Sequence, residues 1–190
     1  MDATGGQKVL EVGSGTGALL QDLGGAFPGH VFHGLEPLPG YVAFSRERVT
    51  ATNVRFFEGT AERANQVLTD RYTRLLSNDV LHHLESEEQA LKALSDVAAP
   101  GARWLAIEPN CWNPYAWLGQ TLKPGERNFR PRQFCRLAQA RGWSVRNKGT
   151  VFLIPPFIRR APGWMAALER LFERVPVLGG GVWLELEKEG

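Results

Sequence analysis

A chain of 190 residues with a formal net charge of +2 and two cysteines has room for one domain with a substantial core. It is short for a cofactor domain joined to a separate substrate domain. Cys111 and Cys135 stand alone without metal-type spacing, so neither a disulfide scaffold nor a zinc ribbon is indicated and a reduced, cytoplasmic setting is the expectation.

Short apolar runs alternate with helical patterns along the chain, as in a parallel α/β sheet. Val9–Val12 reads as the first strand, with Glu11 near its end, followed by Gly13-Ser14-Gly15-Thr16-Gly17 and a helix over Thr16–Ala26. Reversing direction in so few residues calls for glycine, which also lets backbone approach a ligand closely. The free N–H groups at the start of a helix favour an anionic group there. Val31–Leu35 is the second strand, and Glu36 ends it about 20 residues after the turn, where a carboxylate accepts hydrogen bonds from two ribose hydroxyls. The spacing also fits the looser dinucleotide pattern, with Ala18 in the last glycine place, so a nucleotide-dependent oxidoreductase is a second reading.

Tyr41–Thr50 reads as the second helix, Val54–Phe57 as the third strand and Ala61–Leu68 as the next helix. Tyr72–Ser77 is the fourth strand, followed by Asn78-Asp79-Val80-Leu81-His82-His83-Leu84 at the strand end that lines the crevice in open parallel sheets. His82 and His83 are candidates for taking a proton from a hydroxyl. Asp79 with these histidines is a candidate for holding Mg²⁺ or Zn²⁺, and capping or packing is the plain alternative. Ser86-x-x-Gln89 is a capping box opening a helix with Ala90, Leu91, Leu94, Val97 and Ala98 on one face, stopped by Pro100-Gly101. Trp104–Ile107 is the fifth strand, ended by Glu108-Pro109-Asn110.

Beyond it the chain turns basic. Residues 1–100 carry 8 Lys/Arg against 13 Asp/Glu, residues 101–190 carry 14 against 7, and ten bases face only Glu126 between Lys123 and Arg160. Such a half suits an acidic substrate, an anionic membrane surface or nucleic acid, or is simply a solvated face. Trp112, Tyr115 and Trp117 followed by Lys123, Arg127 and Arg130 suit a planar or lipidic substrate bearing negative charge, and equally a lid packed on the core. Phe134–Arg141 is a short helix, Trp143–Lys148 the sixth strand and Val182–Leu186 the last. Trp164, Leu168, Leu171 and Val175 share one face of an amphipathic helix, for packing on the lid or for a membrane or dimer contact. The sequence opens without a charged-then-apolar leader, and its longest apolar run, Val151 to Ile158, falls far below the roughly 18 residues of a membrane span.

The run Glu11-x-Gly13-x-Gly15-x-Gly17 resembles the first motif of class I S-adenosylmethionine-dependent methyltransferases of the small-molecule type. The run from Asn78 to Leu84 is similar to that family's fourth-strand motif, and the resemblance continues from Lys8 to Asn110. It implies an α/β, Rossmann-like, seven-stranded, mostly parallel sheet with helices on both faces and an antiparallel last strand inserted between the fifth and sixth. A single domain would span residues 1–190, with substrate-lid insertions around 111–130 and 155–180.

The implied cofactor is S-adenosyl-L-methionine. Glu11, Gly13, Ser14, Gly15, Thr16 and Gly17 would hold its methionyl part, Glu36 the ribose, Thr60 and Ala61 the adenine, and Asn78 would lie near the reacting methyl. Thr60 stands where the family commonly has an acid, so Thr60 or Glu62 would supply the acceptor, and Thr73 stands where the fourth strand usually begins with aspartate. Asp79-x-x-His82-His83 is similar to the Glu-x-x-Glu-His cluster of metal-dependent O-methyltransferases, which favours His83 over His82 as the base; no metal ligand is assigned. Ile154-Pro155-Pro156-Phe157 mimics the Asn-Pro-Pro-Tyr/Phe motif of amino-methylating DNA enzymes, but isoleucine accepts no hydrogen bond from an amine and the place is wrong, so nucleic acid is not expected. The expected activity is methyl transfer to a small-molecule or lipid-linked acceptor, anionic in one variant of the reading, most naturally at oxygen. Relatives carry a helical segment before the first strand, so the expectation here is an open cofactor site, a covering partner or a truncated chain. Together with Thr60, this keeps a non-catalytic cofactor-binding subunit as an alternative.

Overall fold

The computed structural model describes residues 6–113, 117, 128–151 and 179–190. Most of the aromatic segment after Trp112, the Ile154–Phe157 motif, the helix expected around Trp164–Val175 and most of the second lid lie outside them.

Seven strands form one sheet: β1 (Lys8–Val12), β2 (Val31–Glu36), β3 (Val54–Glu58), β4 (Tyr72–Asn78), β5 (Ala98–Pro109), β6 (Trp143–Val151) and β7 (Gly181–Lys188). Their order is β3-β2-β1-β4-β5-β7-β6. The pairs from β3 to β5 are parallel, while β7 runs antiparallel to both β5 and β6. This is the sheet expected from the resemblance, including the inserted last strand. The chain steps outward from β1 through β2 to β3 and then returns to the other side of β1 with β4. A crevice therefore opens at the carboxyl ends of β1 and β4, where open α/β sheets bind ligands.

Alternation along β1 shows how the two faces are filled, since successive strand side chains point to opposite sides. Val9 joins Leu20, Phe32, Val42 and Phe56 in a cluster under α1 (Ala18–Ala26) and α2 (Pro39–Arg48). Leu10 and Val12 join the larger cluster with Leu75, Leu91, Trp104, Phe134 and Trp143 under α4 (Glu87–Val97) and α5 (Pro131–Gln139). Thr73, in place of an acid, donates its hydroxyl to Gln7 Oε1 at 2.7 Å and ties the amino-terminal ends of β1 and β4 together.

Several boundaries move. α2 starts at Pro39 and α5 at Pro131, each with proline in the first turn, where its missing N–H costs nothing. The segment expected as one helix over Ala61–Leu68 splits into a 3₁₀ turn (Ala61–Arg63) and a short helix α3 (Ala64–Val67). α4 ends at Val97, one residue before the expected face closes, because Ala98 already pairs with Tyr72 across an irregular step of β5 that contains Gly101 at φ 70°. The capping box is half realised. Ser86 Oγ accepts from Gln89 N at 3.2 Å, while the Ser86 amide points to Glu62 Oε1 at 3.4 Å. Among the described residues no helix is long and apolar enough to cross a membrane.

Candidate functional site

The turn after β1 is built from three glycines with positive φ, 72° at Gly13, 51° at Gly15 and 74° at Gly17, a region that strains other L-residues. Their surroundings differ. A Cβ on Gly13 would sit 2.4 Å from Val80 Cγ2, and one on Gly17 2.5 Å from Phe56, so these two glycines serve packing. A Cβ on Gly15 would meet nothing within 4 Å, so Gly15 alone borders open space. Ser14 turns inward, its hydroxyl lying against the site a Cβ on Gly34 would occupy, whereas Thr16 is exposed. The buried Ser45 of α2 braces the turn from outside, its hydroxyl shared between the carbonyls of Gly15 at 3.0 Å and Tyr41 at 2.8 Å.

Two carboxylates flank this turn. Glu36, at the end of β2, accepts from the Gly15 amide at 2.9 Å through Oε2 and from the Leu38 amide at 3.1 Å through Oε1, clamping the glycine turn to the start of α2. Glu11 is 6% exposed, and its Oε2 is buried without a hydrogen-bond partner. Burial, with the Glu36 charge second, pushes the Glu11 carboxyl up to about 8. A buried acceptor left unmatched is costly. A ligand ammonium beside Oε2 would supply the missing donor, and the open backbone at Gly15 leaves room for the rest of such a ligand. The residues present therefore fit the methionyl end of S-adenosylmethionine.

Thr60 is exposed at the carboxyl edge and precedes the buried Ala61. Glu62, the other adenine acceptor considered, accepts through Oε1 from Glu85 N at 3.0 Å and from Ser86 N. Leu38, two residues beyond Glu36 and 54% exposed, is an apolar wall at the mouth of the crevice that the sequence reading passed over.

On the other side of the crevice β4 ends at the exposed Asn78, and Asp79 takes φ 62° with its amide donating to Ile107 O at 2.9 Å. That kink turns Val80 to His83 across the end of β5, where Glu108 waits, 2% exposed. Glu108 Oε1 accepts from the amides of Val80 at 2.9 Å and Leu81 at 2.7 Å, and Oε2 lies 2.8 Å from His82 Nδ1. Glu108 therefore organises the whole turn and faces the Nδ1 edge of the His82 ring. The sequence marks Glu108 as a strand-end residue but gives no sign of its partner, which only the pairing of Asn78 with Ile107 brings alongside.

His82 is buried and His83 exposed, with ring centroids 4.0 Å apart. Ligand atoms of Asp79, His82 and Glu108 lie within 4.8 Å of one another. Both Glu108 oxygens already accept N–H bonds, so a cation there would share this carboxylate with the bonds that shape the turn.

A cavity of about 640 Å³ opens beside this turn, bordered by Leu81, His82, Ser86, Phe129, Arg130 and Gln133. A second concavity, about 400 Å³ and almost wholly apolar, lies beside the glycine turn between Thr16, Leu38, Tyr41 and Phe44.

Residues 9–101 match the family described as Methyltransferase domain. The ubiquinone biosynthesis O-methyltransferase of Aeromonas salmonicida is 24% identical over 165 residues, covering 79% of this chain and 68% of that protein. Among solved structures, an S-adenosylmethionine-dependent methyltransferase from Mesorhizobium loti superposes with a TM-score of 0.73 at 11% identity, over 99% of this chain and 94% of that one. The methyltransferase complexed with the Trm112 activator of Haloferax volcanii gives a TM-score of 0.73 at 16% identity, over 98% and 84%.

Proposed function

For a chain that is a class I S-adenosylmethionine-dependent methyltransferase, we propose methyl transfer to a hydroxyl oxygen of a small-molecule or lipid-linked acceptor seated beside His82. The pairing of His82 Nδ1 with the buried Glu108 carries this reading. A carboxylate facing Nδ1 favours the proton on that nitrogen, which would make Nε2 the basic atom, the arrangement by which an imidazole takes a proton from a hydroxyl. The sequence leaned to His83; the pairing with Glu108 and the place of His82 on the cavity wall favour His82. The O-methyltransferase relative from Aeromonas supports oxygen as the acceptor atom.

Bound S-adenosylmethionine supplies a methyl group already electrophilic on its sulfonium. The protein's task is then alignment, which can contribute on the order of 7 to 11 kcal/mol. Glu11 Oε2 receives the ammonium of the methionyl part, with the Gly13–Gly17 turn, including Ser14 and Thr16, shaping its seat. Glu36 offers its remaining lone pairs to the ribose hydroxyls. Leu38, Thr60 and Ala61 border the adenine, and Asn78 sits beside the reacting methyl.

Transfer of a labelled methyl group to cell-extract acceptors, followed by mass spectrometry, identifies the product. On that acceptor His82→Ala should lose about 10² to 10⁴ in turnover with little change in affinity for S-adenosylhomocysteine. Glu108→Gln should lose turnover too and alter the pH profile. If His83→Ala alone produced the loss, the base assignment would pass to His83. Binding of NAD but not S-adenosylhomocysteine would overturn the methyl-transfer reading.

A further inference from the structure

The most basic stretch of the described chain lies next to the acceptor cavity and has no use in the scheme above. Arg130, Arg132 and Arg136 fall within seven residues that contain no acid. All three are exposed on or just before α5, whose buried side is Phe134 and Ala138. Together with Trp112 they line a concavity of about 370 Å³. The Arg132 guanidinium lies over the Trp112 ring, 5.1 Å from its centroid.

Three other arginines among the described residues are held by carboxylates. Arg103 meets Glu185 and Glu187, Arg146 meets Glu187, and Arg141 meets Glu88. Arg130, Arg132 and Arg136 have no carboxylate partner among the described residues. Arg132 and Arg136 stand one helical turn apart, where like charges repel. An anion between them relieves that repulsion, and guanidinium forks match the planar, two-oxygen edge of a carboxylate or phosphate.

The groove is held in place. Buried Asn110, at the end of β5, accepts from the Trp112 amide at 3.1 Å through Oδ1 and donates through Nδ2 to Gly179 O at 2.8 Å, fixing the turn that presents the indole. The groove also adjoins the acceptor cavity, since Arg130 and Gln133 line both.

We propose that Arg130, Arg132, Arg136 and Trp112 form an anion subsite that takes a carboxylate or phosphate carried by the methyl acceptor, with the indole stacking on a planar part of that acceptor. This rests on the methyl-transfer reading for the ligand's identity, though not for its chemistry. A ligand reaching from His82 to Arg130 presents its hydroxyl at one end and its acidic group at the other.

Calorimetry with phenyl phosphate on the full chain tests it. Phenyl phosphate should bind saturably and about tenfold more tightly than inorganic phosphate, weakening with added salt, because the indole adds a stacking surface to the charge contact. The double variant Arg132→Ala/Arg136→Ala should lose at least about tenfold in affinity, and Trp112→Ala should erase the preference over inorganic phosphate. Both variants should bind S-adenosylhomocysteine as the wild type does, which shows them folded. Absence of saturable binding to the wild type, or equal affinity in the double variant, overturns the subsite. So does arginine-dependent sedimentation with phosphatidylglycerol vesicles that phenyl phosphate fails to compete, since the surface would then serve a lipid bilayer. A wild type that binds phenyl phosphate but not S-adenosylhomocysteine would instead sink the methyl-transfer reading and leave the anion subsite standing.

Discussion

Glu11 shows what one side chain carries when burial and charge oppose its ionisation. With its carboxyl raised from 4.5 to about 8, the folded, ligand-free protein holds a proton there that the unfolded chain gives up. The resulting stabilisation is fully present below the unfolded value and is lost as pH rises through the folded one. Melting temperature should therefore fall between about pH 5 and pH 8 in the ligand-free protein, and Glu11→Gln should flatten that slope. In the proposed seating an ammonium at Oε2 would favour the carboxylate and reverse the balance. At neutral pH S-adenosylhomocysteine should release a proton on binding, visible as a heat that changes with buffer ionisation enthalpy. A buffer-independent heat in the wild type, with melting equally pH-dependent in Glu11→Gln, would take Glu11 out of the cofactor seat.

At the level of elements, the glycine turn divides its labour in a way that spacing alone leaves hidden. Gly13 and Gly17 admit Val80 and Phe56 at distances a Cβ would forbid, and Gly15 faces open space. Gly13→Ala adds a clash to backbone strain of about 1 to 2 kcal/mol and should show mainly as a lower melting temperature. Gly15→Ala carries similar strain without the clash, and should stay folded while losing affinity for S-adenosylhomocysteine. The reverse pattern, with Gly13→Ala stable and Gly15→Ala binding normally, would contradict the division. The turn after β4 follows the same logic. Asp79 tolerates its left-handed φ, and the N–H groups thereby exposed are gathered by Glu108 from the next strand.

Across the whole molecule, the site depends on a sheet whose larger core is anchored by packed aromatic residues. Trp104 is fully buried, packs edge-on against Phe134 at 5.9 Å and Trp143 at 5.5 Å, and donates Nε1 to Ser77 Oγ at 3.0 Å, one residue before Asn78. Trp104→Ala should cost about 3 to 5 kcal/mol in denaturant unfolding, the range for removing a large aromatic from a packed core. A loss near zero would mean that the layer between α4, α5 and the sheet collapses around the gap. The inserted β7 matters on the same scale. It supplies Leu184 and Leu186 to this core and joins β6 to β5, so residues near the chain end complete the surface on which α5 and its arginines rest.

Features that depend on a few neighbouring residues could be read from the chain alone. These include the period-two runs, the glycine turn, the acid ending β2, the capping serine and the basic bias of the second half, because alternation, backbone freedom and capping act within one or two turns. The inserted last strand came from resemblance, since nothing local orders strands in a sheet. Whatever joins residues distant in sequence needed the fold. Glu108 meets His82 because β5 pairs with β4, Glu36 clamps Gly15 because β2 lies beside β1, and Glu62 reaches the amides before α4. Arg130 reaches both the cavity beside His82 and the groove of Trp112 for the same reason. A side chain's chemistry is written in its identity, but its partner is set by which strand ends the sheet brings together.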